Sequence, residues 1–236
     1  KMRKHISFSE LKIWNECPFK HKLIYLDKLK GFEGNVHTAF GTAVHSAVEK
    51  KILDQNFDEI EFFEKEFLEE LKRLPEDIRN DLDKDFVYTL RKQGKFSIPL
   101  VIPALREYFE DFEVISTEER LYEPIKDFVE NEYDFKGYID LVVKTKDGKY
   151  HIIDWKTCSW GWDARRKAEK LTTYQLTLYK KFFAEKYDID PSDIETHFGL
   201  LKRTAKPGKK VEIFRVTSGD KKTKNAVKLL TDALYN

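Results

Sequence analysis

The hydrophobic rhythm of this chain changes once, near residue 113. Before that point apolar residues recur at three- and four-residue spacing, the period of an amphipathic helix. Ser9 followed by Leu11 and Trp14 predicts a capped helix start. Pro18 ends that helix or opens the next at its first position, and Phe19, Leu23 and Leu26 carry an apolar stripe to about Leu29. Phe40, Val44, Ala47, Val48 and Ile52 predict a helix from about Thr38 to Leu53. Residues 58–112 keep the helical period, with Phe62, Phe63, Phe67, Leu68 and Leu71 in one run and Leu100, Leu105, Tyr108 and Phe109 in another. Breaks fall near Pro75, Gly94 and Pro99, and no strong strand signal precedes Val114.

After residue 113 the composition turns β-rich over Glu113–Pro124, Tyr133–Lys144 and Lys149–Lys156. Ile139, Leu141 and Val143 alternate with Asp140 and Val142, the two-residue period of a strand. Asp147-Gly148 between the last two runs is a hairpin signal. A helix is predicted over 164–187, carrying Leu171, Tyr174, Leu178 and Phe182. Ile194–Arg203 and Lys210–Thr217 predict two further strands around Pro207-Gly208, and Ser218 or Asp220 caps a last helix to Tyr235. Helices, strands, helix, strands, helix is the order of one α/β domain over 1–236 with a helical insertion at about 54–112.

Composition narrows the setting. At 236 residues, 41% of them hydrophobic, the chain can bury a sizeable core, while 36% charged residues make the surface ionic. No apolar run approaches the roughly 20 residues of a membrane span, and the start lacks the apolar segment of a secretory signal. The two cysteines, Cys17 and Cys158, stand far apart and outside any Cys-x-x-Cys motif. That argues against a structural zinc site or an iron–sulfur cluster built from this chain alone, and for a reducing, cytoplasmic setting. Net charge is only +1, but it is unevenly spread. Residues 54–86 carry 13 acids and 5 bases, residues 156–236 carry 18 bases and 10 acids, and residues 1–50 carry 9 bases and 5 acids. Basic ends and an acidic middle suit a chain whose ends meet a polyanion.

The candidate chemistry lies in Gly137-Tyr138-Ile139-Asp140 and Asp154-Trp155-Lys156-Thr157. Residues i and i+2 of a strand share a face, so Asp154 and Lys156 project into one cleft, with Asp140 beside them if the two strands pair. An aspartate between Ile139 and Leu141 is costly unless it is paired or metal-bound. Two acids hold a hard divalent cation, and a neighbouring ammonium stabilises negative charge or orients a water, the minimal kit for metal-assisted phosphodiester hydrolysis. Each residue alone has an ordinary reading. Asp140 and Asp154 suit turns, Lys156 suits an exposed strand end, and His45 amid Ala43, Val44, Ala47 and Val48 suits a satisfied core histidine. Gln175 and Tyr179, four apart on one helix face, suit a surface amide beside a core tyrosine. Trp160, Trp162, Arg165, Arg166, Lys167 and Lys170 interleave aromatics with cations, which suits single-stranded nucleic acid or, in the ordinary reading, a solvated helix start with two packing tryptophans. Lys202, Arg203, Lys206, Lys209 and Lys210 extend that track.

Taken together, Asp140, Asp154 and Lys156 resemble the signature of the PD-(D/E)XK nuclease superfamily. Gly41-Thr42-Ala43-Val44-His45 resembles the helical histidine motif of its RecB-like, CRISPR-associated-exonuclease-like branch. Gln175-Leu176-Thr177-Leu178-Tyr179 resembles the Gln-x-x-x-Tyr motif of that branch. Ser9-Glu10-Leu11 through Cys17-Pro18-Phe19 to Tyr25 resembles its N-terminal Cys-Pro segment. The motifs stand in the family's order over residues 9–179. The resemblance implies a restriction-endonuclease-like core, a central mixed β-sheet flanked by helices. It also implies one or two Mg²⁺ or Mn²⁺ ions held by His45, Asp140, Asp154 and the Trp155 backbone carbonyl. Lys156 is then expected to position the attacking water and stabilise charge, and Gln175 and Tyr179 to orient the lysine or contact DNA. Glu49 is expected to support the site from one helical turn on. Glu119 is expected near the metals, although Glu118 is equally placed. Relatives with an iron–sulfur cluster use one N-terminal cysteine and three near the C-terminus. Cys17 matches the first and nothing after Cys158 supplies the rest, so no cluster is expected unless the native chain continues past Asn236, and Cys17 then reads as a buried apolar residue. The expected function is a metal-dependent exonuclease acting on single-stranded DNA ends. The alternatives are a structure-specific endonuclease and a non-catalytic nucleic-acid-binding module on the same fold.

Overall fold

The chain opens with four residues that the hydrophobic pattern does not single out. The computed structural model, which describes residues 4–29, 31, 33–128 and 132–235, makes Lys4–Ser7 a strand, β1. So short a segment cannot display an alternation; it is a strand because a later strand pairs with it. Ser7, not Ser9, caps the first helix, α1 (Phe8–Glu16), its hydroxyl accepting the Glu10 amide at 3.2 Å. Cys17 caps α2 (Pro18–His21), its sulfur accepting the Lys20 amide at 3.5 Å, with Pro18 at the first helical position where its missing N–H is not needed. Cys17 is therefore half-buried at a helix junction rather than a core residue. A π-helical turn over Lys22–Leu26 follows, and Phe19, Leu26 and Leu29 remain exposed, so the predicted stripe there enters no core.

The next helix, α3 (Val36–Leu53), starts in a capping box between Asn35 and Thr38. Four more follow: α4 (Glu59–Arg73), α5 (Glu76–Asn80), α6 (Lys84–Ser97) and α7 (Val101–Phe109). Asp58 and Asp83 cap α4 and α6 with their carboxylates. The apolar faces meet in an aromatic cluster, where Phe63 and Phe67 stack and Phe40 stands edge-on to both. Burying each such ring stabilises the fold by about 1.5–3 kcal/mol.

The strands come next: β2 (Phe112–Pro124), β3 (Tyr133–Thr145) and β4 (Tyr150–Cys158). Two helices follow, α8 (Ala164–Lys167) and α9 (Lys170–Tyr187), then β5 (Ile194–Lys202), β6 (Val211–Val216) and α10 (Asp220–Tyr235). All six strands form one mixed sheet. β2 runs antiparallel along the whole of one side of β3. The other side of β3 is shared: β1 lies parallel to Tyr133–Lys136, and β4 lies antiparallel to Leu141–Lys144. β5 is parallel to β4, and β6 is antiparallel to β5. The hairpin turn between β3 and β4 falls at Asp147-Gly148 as predicted, with Gly148 at φ +84°. One face of the sheet packs on α1, α9 and α10 and the other on α3, α4, α6 and α7. This is the expected α/β class, a central mixed sheet flanked by helices.

Candidate active site

Residues 137–140 occupy the stretch where β3 has parted from β1 and has not yet met β4. Gly137 serves a close approach there: a Cβ at this position would stand 2.7 Å from a ring carbon of Tyr179, so the glycine lets α9 lay that ring against the strand. Asp140 is the last residue before β4 joins. Its neighbours Ile139 and Leu141 pack in opposite cores, so the strict alternation of β3 breaks at the aspartate. On the other strand, pairing with β3 ends at Ile153. The backbone N–H of Trp155, free of that ladder, donates instead to Asp140 Oδ2 at 2.7 Å.

Asp154 is buried beside this opening. Lys156 Nζ stands 2.8 Å from Asp154 Oδ2, an ion pair by distance, yet that oxygen has no aligned hydrogen-bond partner. The ammonium donates to Gln175 Oε1 at 2.9 Å, and Gln175 Nε2 donates to the Tyr179 hydroxyl at 3.2 Å. α3 brings in His45, whose Nδ1 lies 3.8 Å from Asp140 Oδ2 and whose ring bonds the Trp155 carbonyl. Thus β3, β4, α3 and α9 each contribute to one cleft at the point where the sheet splits.

The charges in this cleft do not balance. Burial and the negative charge of Asp154 push the Asp140 carboxyl well above the usual range, more than the Trp155 amide and Lys156 pull it down. Burial alone would lower Lys156, but Asp154 and Asp140 raise it above the ordinary lysine value, so it stays protonated. Burial holds His45 below the ordinary histidine value despite Asp154, which keeps its ring neutral. Burial also raises Tyr179, with Asp154 adding to the shift. Two buried carboxylates with one ammonium between them, and the elevated Asp140 that results, are the imbalance a divalent cation relieves. One imidazole, two carboxylates and a carbonyl suit Mg²⁺ or Mn²⁺.

Glu118 rather than Glu119 faces the cleft. Burial, Glu49 and Asp154 raise its carboxyl, and its backbone sits at φ +46°, a strained conformation for a residue with a side chain, costing about 1–3 kcal/mol. Glu119 turns to the other face, where Lys186 Nζ lies at 2.7 Å and the Tyr187 hydroxyl also donates to it. Burial would raise Glu119, but these two partners hold it below the ordinary value. The assignment of Glu119 to the metal neighbourhood is therefore corrected: adjacent strand residues point to opposite faces, and only Glu118 points inward. Glu49 accepts from Thr117 Oγ1 at 3.4 Å and lies near Glu118.

The two tryptophans also separate. Trp160 is 72% exposed, whereas Trp162 is 8% exposed and packs edge-on to Phe198, with the Arg166 guanidinium 4.8 Å from its ring centre. Trp162 is a packing residue and offers no stacking platform. Arg165, Arg166 and Lys170 are exposed. Lys202 is paired with Glu212 at 3.0 Å, and Arg203 is buried against Gln93 and Ser159. Both are committed to holding the fold, so the predicted extension of the basic track through them is corrected. A groove of about 500 Å³ opens at Lys156 and Gln175 and is lined further by Ser9, Lys12, Thr172 and Arg166. A second, of about 430 Å³, is lined by Arg166, Trp160 and His37. Lys12 was not singled out from the sequence, where it is one lysine among many; only its place in the groove marks it.

Among the described residues, the set of three whose metal-ligating atoms all lie within 4.8 Å of one another is a different one: His151, Glu195 and His197. The sequence signal was Glu195-Thr196-His197, two ligand types at i and i+2 of a predicted strand.

The sequence profile of the PD-(D/E)XK nuclease superfamily matches residues 5–231. No curated relative matches the chain. Among solved structures, the chain is similar to one described as "Putative exonuclease" from Eubacterium rectale, at 12% identity and TM-score 0.62, covering 98% of this chain and 79% of that one. A looser likeness is to the crystal structure of SSO0001, at 15% identity and TM-score 0.39, over 96% of this chain and 84% of that one. The Eubacterium rectale likeness bears on the fold, and the profile match spans nearly the whole chain. The chain belongs to the PD-(D/E)XK nuclease superfamily.

Proposed function

We propose that this chain is a divalent-metal-dependent deoxyribonuclease of the RecB-like branch that trims single-stranded ends. Membership of a nuclease superfamily supports hydrolysis of nucleic acid. The observation that carries the reading is the convergence of His45, Asp140, Asp154 and Lys156 on one cleft where two buried carboxylates share a single ammonium. One or two Mg²⁺ or Mn²⁺ ions held by His45, Asp140, Asp154 and the Trp155 carbonyl would supply Lewis-acid polarisation of the phosphate and a more acidic water.

The chain's own residues do the rest. Lys156 keeps its proton because two carboxylates face it, so it presents a fixed positive charge to oxygen charge developing on the phosphate. Gln175, itself braced by Tyr179, fixes the direction of that ammonium. Glu118 offers a further carboxylate on the same cleft. A strand entering along Lys12 and Arg166 meets cations first and the exposed Trp160 ring beside them, a combination that favours unpaired bases. The segment 54–112 is read as an insertion in a single domain. The Gln175–Tyr179 brace favours end-directed cutting over internal cutting, and the Eubacterium rectale structure carries the description "Putative exonuclease". The scarcity of cysteine fits action in a reducing cytoplasm.

The test is digestion of end-labelled linear and circular single-stranded DNA with Mg²⁺ or Mn²⁺. The proposal expects linear strands to be shortened from an end and circles to survive. Rapid cutting of circles would replace it with an endonuclease, and binding without turnover in either metal would replace it with a non-catalytic module.

A further inference from the structure

His151 stands three residues before Asp154 on β4, so its side chain lies on the opposite face, roughly 10 Å along the strand from the candidate active site. Glu195 and His197 sit beside it on the parallel strand β5, Glu195 directly in register with His151. His151 Nδ1 is 2.9 Å from His197 Nε2 and 3.6 Å from Glu195 Oε2. Ligands arranged tetrahedrally around one ion at bond lengths near 2.0–2.2 Å stand about 3.4 Å apart; the two separations from His151 bracket that value, and ligand atoms of all three residues lie within 4.8 Å of one another.

We infer that His151 Nδ1, His197 Nε2 and Glu195 Oε2 form a binding site for one zinc-class divalent ion, separate from the candidate active site. The scarcity of cysteine, which argues against a thiolate site, does not bear on a site built from imidazoles and a carboxylate.

What surrounds the three atoms supports this. Metal-binding imidazoles are held by a partner on their other nitrogen, and both rings here have one. His151 Nε2 is 2.9 Å from Thr145 Oγ1, which donates to Asp147 Oδ1 at 2.5 Å. His197 Nδ1 is 3.1 Å from the Tyr108 hydroxyl. Glu195 is held the same way. Lys149 and Arg215 both approach its Oε1, each at 3.4 Å, and leave Oε2 turned to the histidines. Burial, with His151 and Arg215, pushes His197 down to about 3, and burial lowers His151, so both rings are neutral at physiological pH.

Without an ion the same groups close into a hydrogen-bonded chain. Tyr108 donates to His197 Nδ1, His197 Nε2–H donates to His151 Nδ1, and His151 Nε2–H donates to Thr145. Ion entry needs one rearrangement: the His197 proton moves from Nε2 to Nδ1 and is then donated to the Tyr108 oxygen. The ion would tie β4 to β5 and, through Tyr108, tie α7 to the sheet. Its expected role is structural, and it selects zinc, cobalt or nickel over magnesium because imidazole donors dominate.

The test uses the full chain carrying His45→Ala and Asp154→Asn, which removes ligands of the candidate active site, stripped of metal and then titrated with Zn²⁺ or Co²⁺. One equivalent of zinc surviving gel filtration, visible cobalt absorption of a nitrogen–oxygen site, and a thermal midpoint raised by several degrees are expected. Adding Glu195→Gln or His197→Gln should abolish all three. If His197→Gln does not fold, Glu195→Gln, altered at the outer edge of the cluster, decides. Absence of retained zinc, or retention undiminished by a folded Glu195→Gln variant, would overturn the assignment.

Discussion

The two faces of β4 hold two clusters of ionisable groups, and they are built on opposite terms. On one face Asp154 and Asp140 stand together with a single ammonium between them, and Asp140 is pushed well above its ordinary value. On the other face His151 and His197 pair with each other, and every nitrogen has a partner. The first cluster sits where β3 and β4 separate, the second where β4 and β5 are fully paired. A paired ladder lets a polar network close on itself; a splayed one leaves two acids to share one ammonium and one backbone amide. Closure suits a cluster that holds structure, and imbalance is what the proposed catalytic role of the other rests on.

The contrast predicts opposite responses to mutation. Lys156→Ala should lower the cleavage rate by about 10²–10³-fold while leaving the thermal midpoint of the metal-loaded protein nearly unchanged, because the cation then answers both carboxylates. A single-turnover assay beside a melting curve checks both, and an unaltered rate would remove Lys156 from the site. His197→Ala should do the reverse, costing about 2–4 kcal/mol of stability from the lost ring and the stranded partners, with the residual rate of the folded fraction retained. Chemical denaturation reads that loss.

Trp160 and Trp162 sharpen the comparison within a single loop. Trp160→Ala should weaken binding of a short single strand by about 1–3 kcal/mol, the worth of one stacked base, without touching stability. Trp162→Ala should instead lower stability, because its ring is packed against Phe198. Equal binding losses for the two would show that the loop rearranges on DNA.

The smallest effect is a sign. Asp140 is more readily protonated folded than unfolded, so in metal-free protein its contribution is full below the ordinary aspartate range, near 3.8, and is lost as pH rises through its elevated value. Asp140→Asn should therefore stabilise the metal-free protein at pH 8 by about 1 kcal/mol, and by less at pH 5, while abolishing activity. Metal-free melting curves of both proteins at the two pH values test this; a destabilised variant at pH 8 would mean that Asp140 is satisfied without a cation.

How much of this was legible in the sequence follows from how local each feature is. Asp154 and Lys156 share a strand and Gln175 and Tyr179 share a helix turn, so their spacing alone puts each pair on one face. Asp140 stood out because an acid between Ile139 and Leu141 needs a reason. What stayed hidden depends on contacts distant in sequence. β1 exists only because β3 pairs with it. Ser7 takes the cap from Ser9 because the chain leaves a strand there. The choice between Glu118 and Glu119 turns on one backbone angle that no pattern encodes. Trp162, Lys202 and Arg203 read as a basic, aromatic surface, and only the packing of Phe198, Glu212 and Gln93 draws them inward.

The most direct test is a crystal soaked in Mn²⁺ and recorded at a wavelength where manganese scatters anomalously. A peak between Asp140 and Asp154, within bonding distance of His45 and the Trp155 carbonyl, is the predicted result. A cleft free of anomalous signal, with the His45 ring directed elsewhere, would contradict the claim that its charge imbalance is the seat of a cation.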